Sequence, residues 1–239
     1  MQRERLSYEA DGVTLRSELF VGAGTGRRPA VLVFPEAFGL GEHALGRAER
    51  LAGMGYVALA SDLHGDALLV DELGSAIELL KPFYADPTKT RARAGAGLAA
   101  LRARPEVDAG RIGAIGFCFG GTMALELARS GADIKAVVGF HSGLGSVAPA
   151  AAGAIKAKIL TCIGADDPLI TPEQRAAFEA EMRAAGADWQ MHLYGGTVHS
   201  FTNREAAKRN RPDAIRYSAE ADARSWAAME QLFGETLRG

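Results

Sequence analysis

Residues 111–129 read Arg-Ile-Gly-Ala-Ile-Gly-Phe-Cys-Phe-Gly-Gly-Thr-Met-Ala-Leu-Glu-Leu-Ala-Arg. The apolar stretch from Arg111 to Gly116 predicts a strand, and Gly120 to Arg129 predicts a helix. Only Phe117, Cys118 and Phe119 remain to join them, so the backbone must turn sharply. Such a turn drives its central residue toward positive φ, a strained region for anything but glycine. Gly116, Gly120 and Gly121 leave room for the close backbone approach, and the Cys118 thiol stands over the start of the helix. The unpaired N–H groups there carry partial positive charge, which favours a thiolate and a developing oxyanion. Cys118 is therefore a candidate nucleophile, against the alternative of a small buried hydrophobe.

Working outward, strand and helix keep alternating. Val13 to Phe20 predicts a strand, Gly22, Gly24 and Gly26 a flexible turn, and Ala30 to Phe34 a second strand. Ala44 to Met54 has the 3–4 spacing of a helix, Tyr56 to Ala60 is a strand, and Glu72 to Leu80 and Lys89 to Ala103 are helices. Beyond the quoted stretch come strands at Ile134 to Phe140, Ala157 to Ile163 and Asp188 to Leu193, with helices at Pro172 to Ala185 and Pro212 to Phe233. The alternation predicts an α/β protein: one mostly parallel sheet covered by helices on both faces, forming a single domain over residues 1–239. Such sheets bind ligands at the carboxyl ends of their strands. The turns that follow strands hold Glu36 and Ala37, Asp62 and His64, Cys118, His141 and Ser142, Asp166 and Asp167, and His199.

Composition narrows the classes. The chain balances 27 Lys and Arg against 29 Asp and Glu for a net charge of −2, unlike a nucleic-acid binder. With 48% hydrophobic and 23% charged residues it is globular, and no apolar run reaches the roughly 18 residues that cross a bilayer. The opening Met1, Gln2, Arg3, Glu4, Arg5 is charged and no signal-type run follows it, so a cytoplasmic location is expected. Two cysteines are too few for a disulfide scaffold or a cysteine-built metal site. Cys162, inside the strand Ile159 to Ile163 with no flanking glycine collar, reads as core. No pair of His or acid residues shows ligand spacing, and Gly22 to Gly26 lacks the order of a dinucleotide or phosphate loop. Neither metal nor cofactor is expected.

A thiol nucleophile needs a base and a group to orient that base. Gly164, Ala165, Asp166, Asp167, Pro168 follows one strand, and the glycine-rich loop with His199 follows the next. Both positions match the order nucleophile, acid, histidine. Asp167 is the better acid because Pro168 fixes the loop directly after it, with Asp166 one residue away and open as the alternative; either can also be a turn-capping carboxylate.

At this point the sequence resembles a family. Phe34, Pro35, Glu36, Ala37, Phe38, Gly39, Leu40, then Arg50, Leu51, Ala52, then Gly55, Tyr56, Val57 look like the dienelactone hydrolase family of the α/β-hydrolase fold. The elbow, the acid loop and the triplet His199, Ser200, Phe201 agree in order, and the resemblance runs from about residue 12 to 235. It implies an α/β-hydrolase fold without a large cap domain, Cys118 as nucleophile, His199 as base and Asp167 as its orienter. It further implies that Glu36 lies beside the resting thiol and joins in its activation, and that the Ala37 and Phe119 amides form the oxyanion hole. The implied activity is hydrolysis of enol lactones or activated esters through a thioester. A thiolate leaves a tetrahedral adduct more readily than an alkoxide does, and an enolate leaving group redresses that balance.

One position departs from the pattern. Dienelactone-cleaving members hold a substrate carboxylate with cationic side chains, one of them shortly after the catalytic histidine; here Asn203 stands there, followed by Arg204. Lys81 and Tyr84 lie where the family has other binding groups, and Tyr84, His141, Ser200, Asn203 and Arg204 are the expected substrate contacts. The expected partner is a small lactone or ester, for a monomer or homodimer. The rival readings are a broad carboxylesterase or thioesterase on the same residues, and a non-catalytic ligand binder with a redox-sensitive thiol.

Overall fold

The computed structural model describes residues 1–238. Its strands are β1 (Gln2–Ala10), β2 (Val13–Val21), β3 (Arg28–Phe34), β4 (Val57–Ala60), β5 (Val107–Phe117), β6 (Ala136–Phe140), β7 (Lys158–Gly164) and β8 (Trp189–Tyr194). The helices are α1 (Glu42–Gly53), α2 (Leu73–Ala85), α3 (Pro87–Arg102), α4 (Phe119–Arg129), α5 (Pro172–Ala185) and α6 (Ala219–Leu237). All eight strands form one sheet in the order β1-β2-β4-β3-β5-β6-β7-β8. β1, β2 and β4 pair antiparallel, and every pair from β4 through β3 to β8 is parallel.

Strands β4 and β6 are buried along their whole length, as a sheet covered on both faces requires. On one face α1 and α6 pack Ala48, Leu51, Trp226, Met229 and Phe233 against the sheet. On the other, α2 to α5 contribute Leu80, Leu98, Met123, Leu127, Phe178 and Met182. Helix α4 lies at the centre and every one of its residues is buried. Local signals set the helix ends. Asp86 caps α3 by accepting the Thr88 N–H at 2.9 Å with Pro87 in the first turn, and Thr171 and Gln174 form a reciprocal capping box on α5. Among the described residues no helix is long and apolar enough to cross a membrane.

The charged opening residues, for which the sequence predicts no element, form β1, paired along its length with β2 at the sheet edge. Alternation of Arg3, Arg5 and Ser7 with Glu4, Leu6 and Tyr8 leaves one side to solvent, so apolar content alone does not reveal the strand. The last helix does not start at Pro212. It starts at Ala219, where the Ser218 hydroxyl accepts the Ala221 N–H at 3.3 Å, and residues 212–217 form an extended turn instead. That turn belongs to the site described next.

Candidate active site

The segments that follow the carboxyl ends of β5, β6, β7 and β8 meet over one cavity of about 510 Å³, within the usual range for small-molecule sites. Cys118 follows β5 as the N-cap of α4, at φ 54° and ψ −121°. Such a conformation costs about 1–3 kcal/mol in a non-glycine residue and persists only where its surroundings hold it. The holding contacts are visible. The Cys118 N–H is shared between the Phe140 carbonyl at 3.0 Å and His141 Nδ1 at 3.2 Å, and the Gly121 N–H donates to the Cys118 carbonyl at 3.0 Å. The thiol is partly exposed and lines the cavity. By contrast Cys162 is fully buried in β7, accepts a hydrogen bond from the Tyr194 hydroxyl at 3.7 Å, and is pushed up to about 12 by burial.

His199 lines the same cavity from the loop after β8. Its Nδ1–H donates to Asp167 Oδ2 at 2.7 Å, while Asp167 Oδ1 accepts the Leu169 N–H at 2.8 Å. Asp167 is buried and Asp166 is exposed, so the structure separates two residues that the sequence leaves open. The turn before α6 clamps the histidine backbone: the His199 N–H donates to Ala214 at 3.0 Å and the Arg216 N–H donates to the His199 carbonyl at 3.1 Å. The ring's Nε2 is buried and makes no hydrogen bond of good geometry. Burial opposes the imidazolium, but the neighbouring Cys118 charge and the bond to Asp167 outweigh it and push the ring up to about 10.

Glycine explains how the second wall comes close. Gly120 packs directly on the Phe34 and Pro35 carbonyls, which brings the segment after β3 against the first turn of α4. The Ala37 N–H donates to no protein acceptor among the described residues, and Phe119 is the first residue of α4, where no intrahelical acceptor exists. His64 Nε2 bonds the Ala37 carbonyl at 2.8 Å and steadies that segment.

The remaining expected contacts are placed differently. Glu36 is 7% exposed, with one carboxylate oxygen accepting from Ser200 Oγ at 2.9 Å and the other from Asn203 Nδ2. Ser200 and Asn203 thus serve the carboxylate, and neither lines the cavity. Arg204 faces a separate cavity beside His43 and Arg47. His141 is fully buried behind the elbow rather than in the pocket. Since its Nδ1 accepts from Cys118, its Nε2–H donates to Thr202 Oγ1 at 2.8 Å, and Thr202 in turn donates to His43 Nε2 at 3.2 Å. Burial and the facing His199 hold His141 well below the usual histidine range, so this chain stays neutral. Tyr84 alone of the five expected contacts lines the cavity. Thr202 is the residue that sequence reasoning misses, and nothing in its residue type marks it. Among the described residues no group of three or more His, Cys, Asp or Glu is arranged to hold a metal ion.

With the geometry in place, comparison with known proteins is specific. The model of the dienelactone hydrolase family matches residues 17–237. The chain belongs to the dienelactone hydrolase family. It is a hydrolase of that family, with the α/β-hydrolase fold. A dienelactone hydrolase-like promiscuous phosphotriesterase from metagenomic libraries is similar at 44% identity over 98% of both chains, with a TM-score of 0.93. The carboxymethylenebutenolidase of a Pseudomonas species is 28% identical over 97% of each chain. A Bradyrhizobium protein described as "Probable 2-oxo-3-(5-oxofuran-2-ylidene)propanoate lactonase" is 33% identical over 74% of this chain and 75% of its own.

Proposed function

We propose that this dienelactone hydrolase relative opens enol lactones and activated esters with Cys118 as nucleophile and a thioester intermediate. The observation that carries the reading is the buried Asp167–His199 pair, whose ring lines the same cavity as the strained Cys118. The Cys118 sulfur attacks the carbonyl carbon, a C–S bond forms, and the oxygen takes the charge beside the Ala37 and Phe119 N–H groups. Collapse re-forms the carbonyl and breaks the C–O bond, and the departing oxygen takes the proton carried by His199. Water then gives a proton to His199 Nε2 as its oxygen attacks the thioester, and collapse releases the acid and restores the thiolate. Asp167 keeps the proton on Nδ1, which leaves Nε2 for this exchange.

In this reading Glu36 joins in activating the thiol from behind the cavity wall, and its hydrogen bonds from Ser200 and Asn203 support a positioning role for it in the resting state. The test is hydrolysis of p-nitrophenyl acetate and of an uncharged enol lactone by the wild type and Cys118→Ala, with mass spectrometry of the acylated protein. Turnover is expected to vanish in the variant, with the acyl mass on Cys118 in the wild type. Equal rates would end the nucleophile assignment. Glu36→Gln is expected to slow acylation, and an unchanged rate would leave Glu36 a purely structural residue.

A second reading, cleavage of neutral phosphotriesters at the same thiol, draws on the 44% identical phosphotriesterase. Paraoxon hydrolysis that is lost in Cys118→Ala would support it, and no release of p-nitrophenol would dismiss it.

A further inference from the structure

The cavity over Cys118 has apolar walls and an aromatic corner. Phe119 meets Phe83 at 5.6 Å and Tyr84 at 5.2 Å between ring centroids, the second pair edge to face. The rim carries Tyr84, Val147 and Leu169 at 52%, 72% and 49% exposure, unusual positions for large apolar side chains unless something covers them in use. Partial burial and the charge of Cys118 raise the Tyr84 hydroxyl above its ordinary range, so it stays neutral. Among the described residues that line the cavity there is no Lys or Arg.

The fixed carboxylate on the lining, Glu126, is held by Arg91 at 2.8 Å and Arg129 at 3.1 Å, and those guanidiniums are themselves not on the lining. The groups that could greet an anion are engaged elsewhere. Lys81 pairs with Glu78, Asn203 holds Glu36, and Arg204 opens on the second cavity. A carboxylate entering here would shed water with no lysine or arginine to replace it; the one cationic ring on the lining, His199, is already paired with Asp167 and faces the attacking thiolate, which would repel the newcomer.

We infer that the site selects uncharged esters and lactones bearing an aryl or branched apolar group, and rejects substrates that carry a carboxylate on the acyl side. The inference rests on the proposed Cys118 chemistry and adds the substrate class. It reverses what the resemblance alone implies for a dienelactone-cleaving enzyme.

The test is a matched pair of esters: p-nitrophenyl 5-methylhexanoate and mono-p-nitrophenyl glutarate, which differ by an isopropyl group against a carboxylate of the same shape. The wild type is expected to prefer the neutral ester by at least about tenfold in kcat/KM, the scale of one unpaired like-charge contact. Leu169→Arg and Val147→Arg, both at exposed rim positions, are each expected to shift the ratio toward the glutarate by about tenfold. Cys118-dependent turnover of both esters with less than a tenfold preference overturns the inference and leaves the nucleophile reading standing. Turnover that survives Cys118→Ala, or turnover of neither ester, overturns the nucleophile reading and the inference with it.

Discussion

Replacing Gly120 by alanine tests the elbow more directly than any change at the thiol. A Cβ there would lie 2.3 Å from the Phe34 oxygen, 2.3 Å from the Pro35 oxygen and 2.6 Å from the Phe34 carbonyl carbon. Ordinary contact begins at 3.4 Å, so the segment after β3 must retreat by about 1 Å, from 3.4 less 2.3. All three atoms are backbone, and no side-chain rotation relieves them. Overpacking of this kind costs about 1–3 kcal/mol, and the upper part of that range is expected because the contacts are rigid. The retreat also carries the Ala37 N–H away from the Phe119 N–H. An error of about 1 Å in a reacting geometry can cost on the order of 100-fold, and loss of one oxyanion donor about 100- to 1,000-fold.

Gly120→Ala is therefore expected to lose about 2–3 kcal/mol in urea unfolding followed by tryptophan fluorescence. Its kcat on p-nitrophenyl acetate should fall by about 100-fold or more. Gly46→Ala is the control. Its Cβ meets nothing within 4 Å, and the helix α1 position should gain up to about 1 kcal/mol without loss of activity. A Gly120→Ala protein with wild-type stability and wild-type kcat would refute the close approach and, with it, the paired amides.

The other predictions concern charge. Asp167→Asn should lower kcat by about 100- to 10,000-fold by disturbing the His199 tautomer, whereas exposed Asp166→Asn should stay within about twofold; equal losses would contradict the 2.7 Å bond. His199 is raised above its unfolded value to about 10, so its stabilising contribution is complete below about pH 6.5 and fades as pH climbs through 10. NMR of the ring should show this titration in the wild type and a lower one in Cys118→Ala, because Cys118 is the largest raising influence; an unmoved titration would deny the contact. Arg129→Met removes one of the two guanidiniums on buried Glu126 and leaves the partly buried Glu181 without its ion pair, and should cost about 3 kcal/mol in calorimetry, a loss under about 1 kcal/mol being incompatible with the observed pairs.

What the sequence discloses here follows from how each feature is encoded. The elbow was legible because steric need leaves a local trace: Gly116, Gly120 and Gly121 have to be small, and the strand and helix on either side are continuous in sequence. The acid and histidine loops were legible by their order after strands, though Asp166 and Asp167 share every local property and only burial divides them. The edge strand β1 was missed since its pairing is made through backbone, with charges on its open side. The composition of residues 212–217 permits a helix, whereas the hydrogen bonds that His199 gives to the Ala214 carbonyl and takes from the Arg216 N–H favour an extended path over one more helical turn.

Ser200, Asn203, His141 and Thr202 mark a different limit. Each is an ordinary polar residue whose partner lies far along the chain, as in the 164-residue separation between Ser200 and Glu36 or the 61 between His141 and Thr202. Spacing cannot encode such pairs. Their consequence is still physical. The position after the histidine that the family pattern gives to a cation here donates a neutral amide to Glu36, so the carboxylate is satisfied inside the protein. A residue committed to Glu36 cannot also bind a substrate anion without releasing it. The neutral amide at position 203, once its partner is seen, thus leaves no cation free at that place, in keeping with a cavity lining that carries no Lys or Arg and with the uncharged substrates proposed.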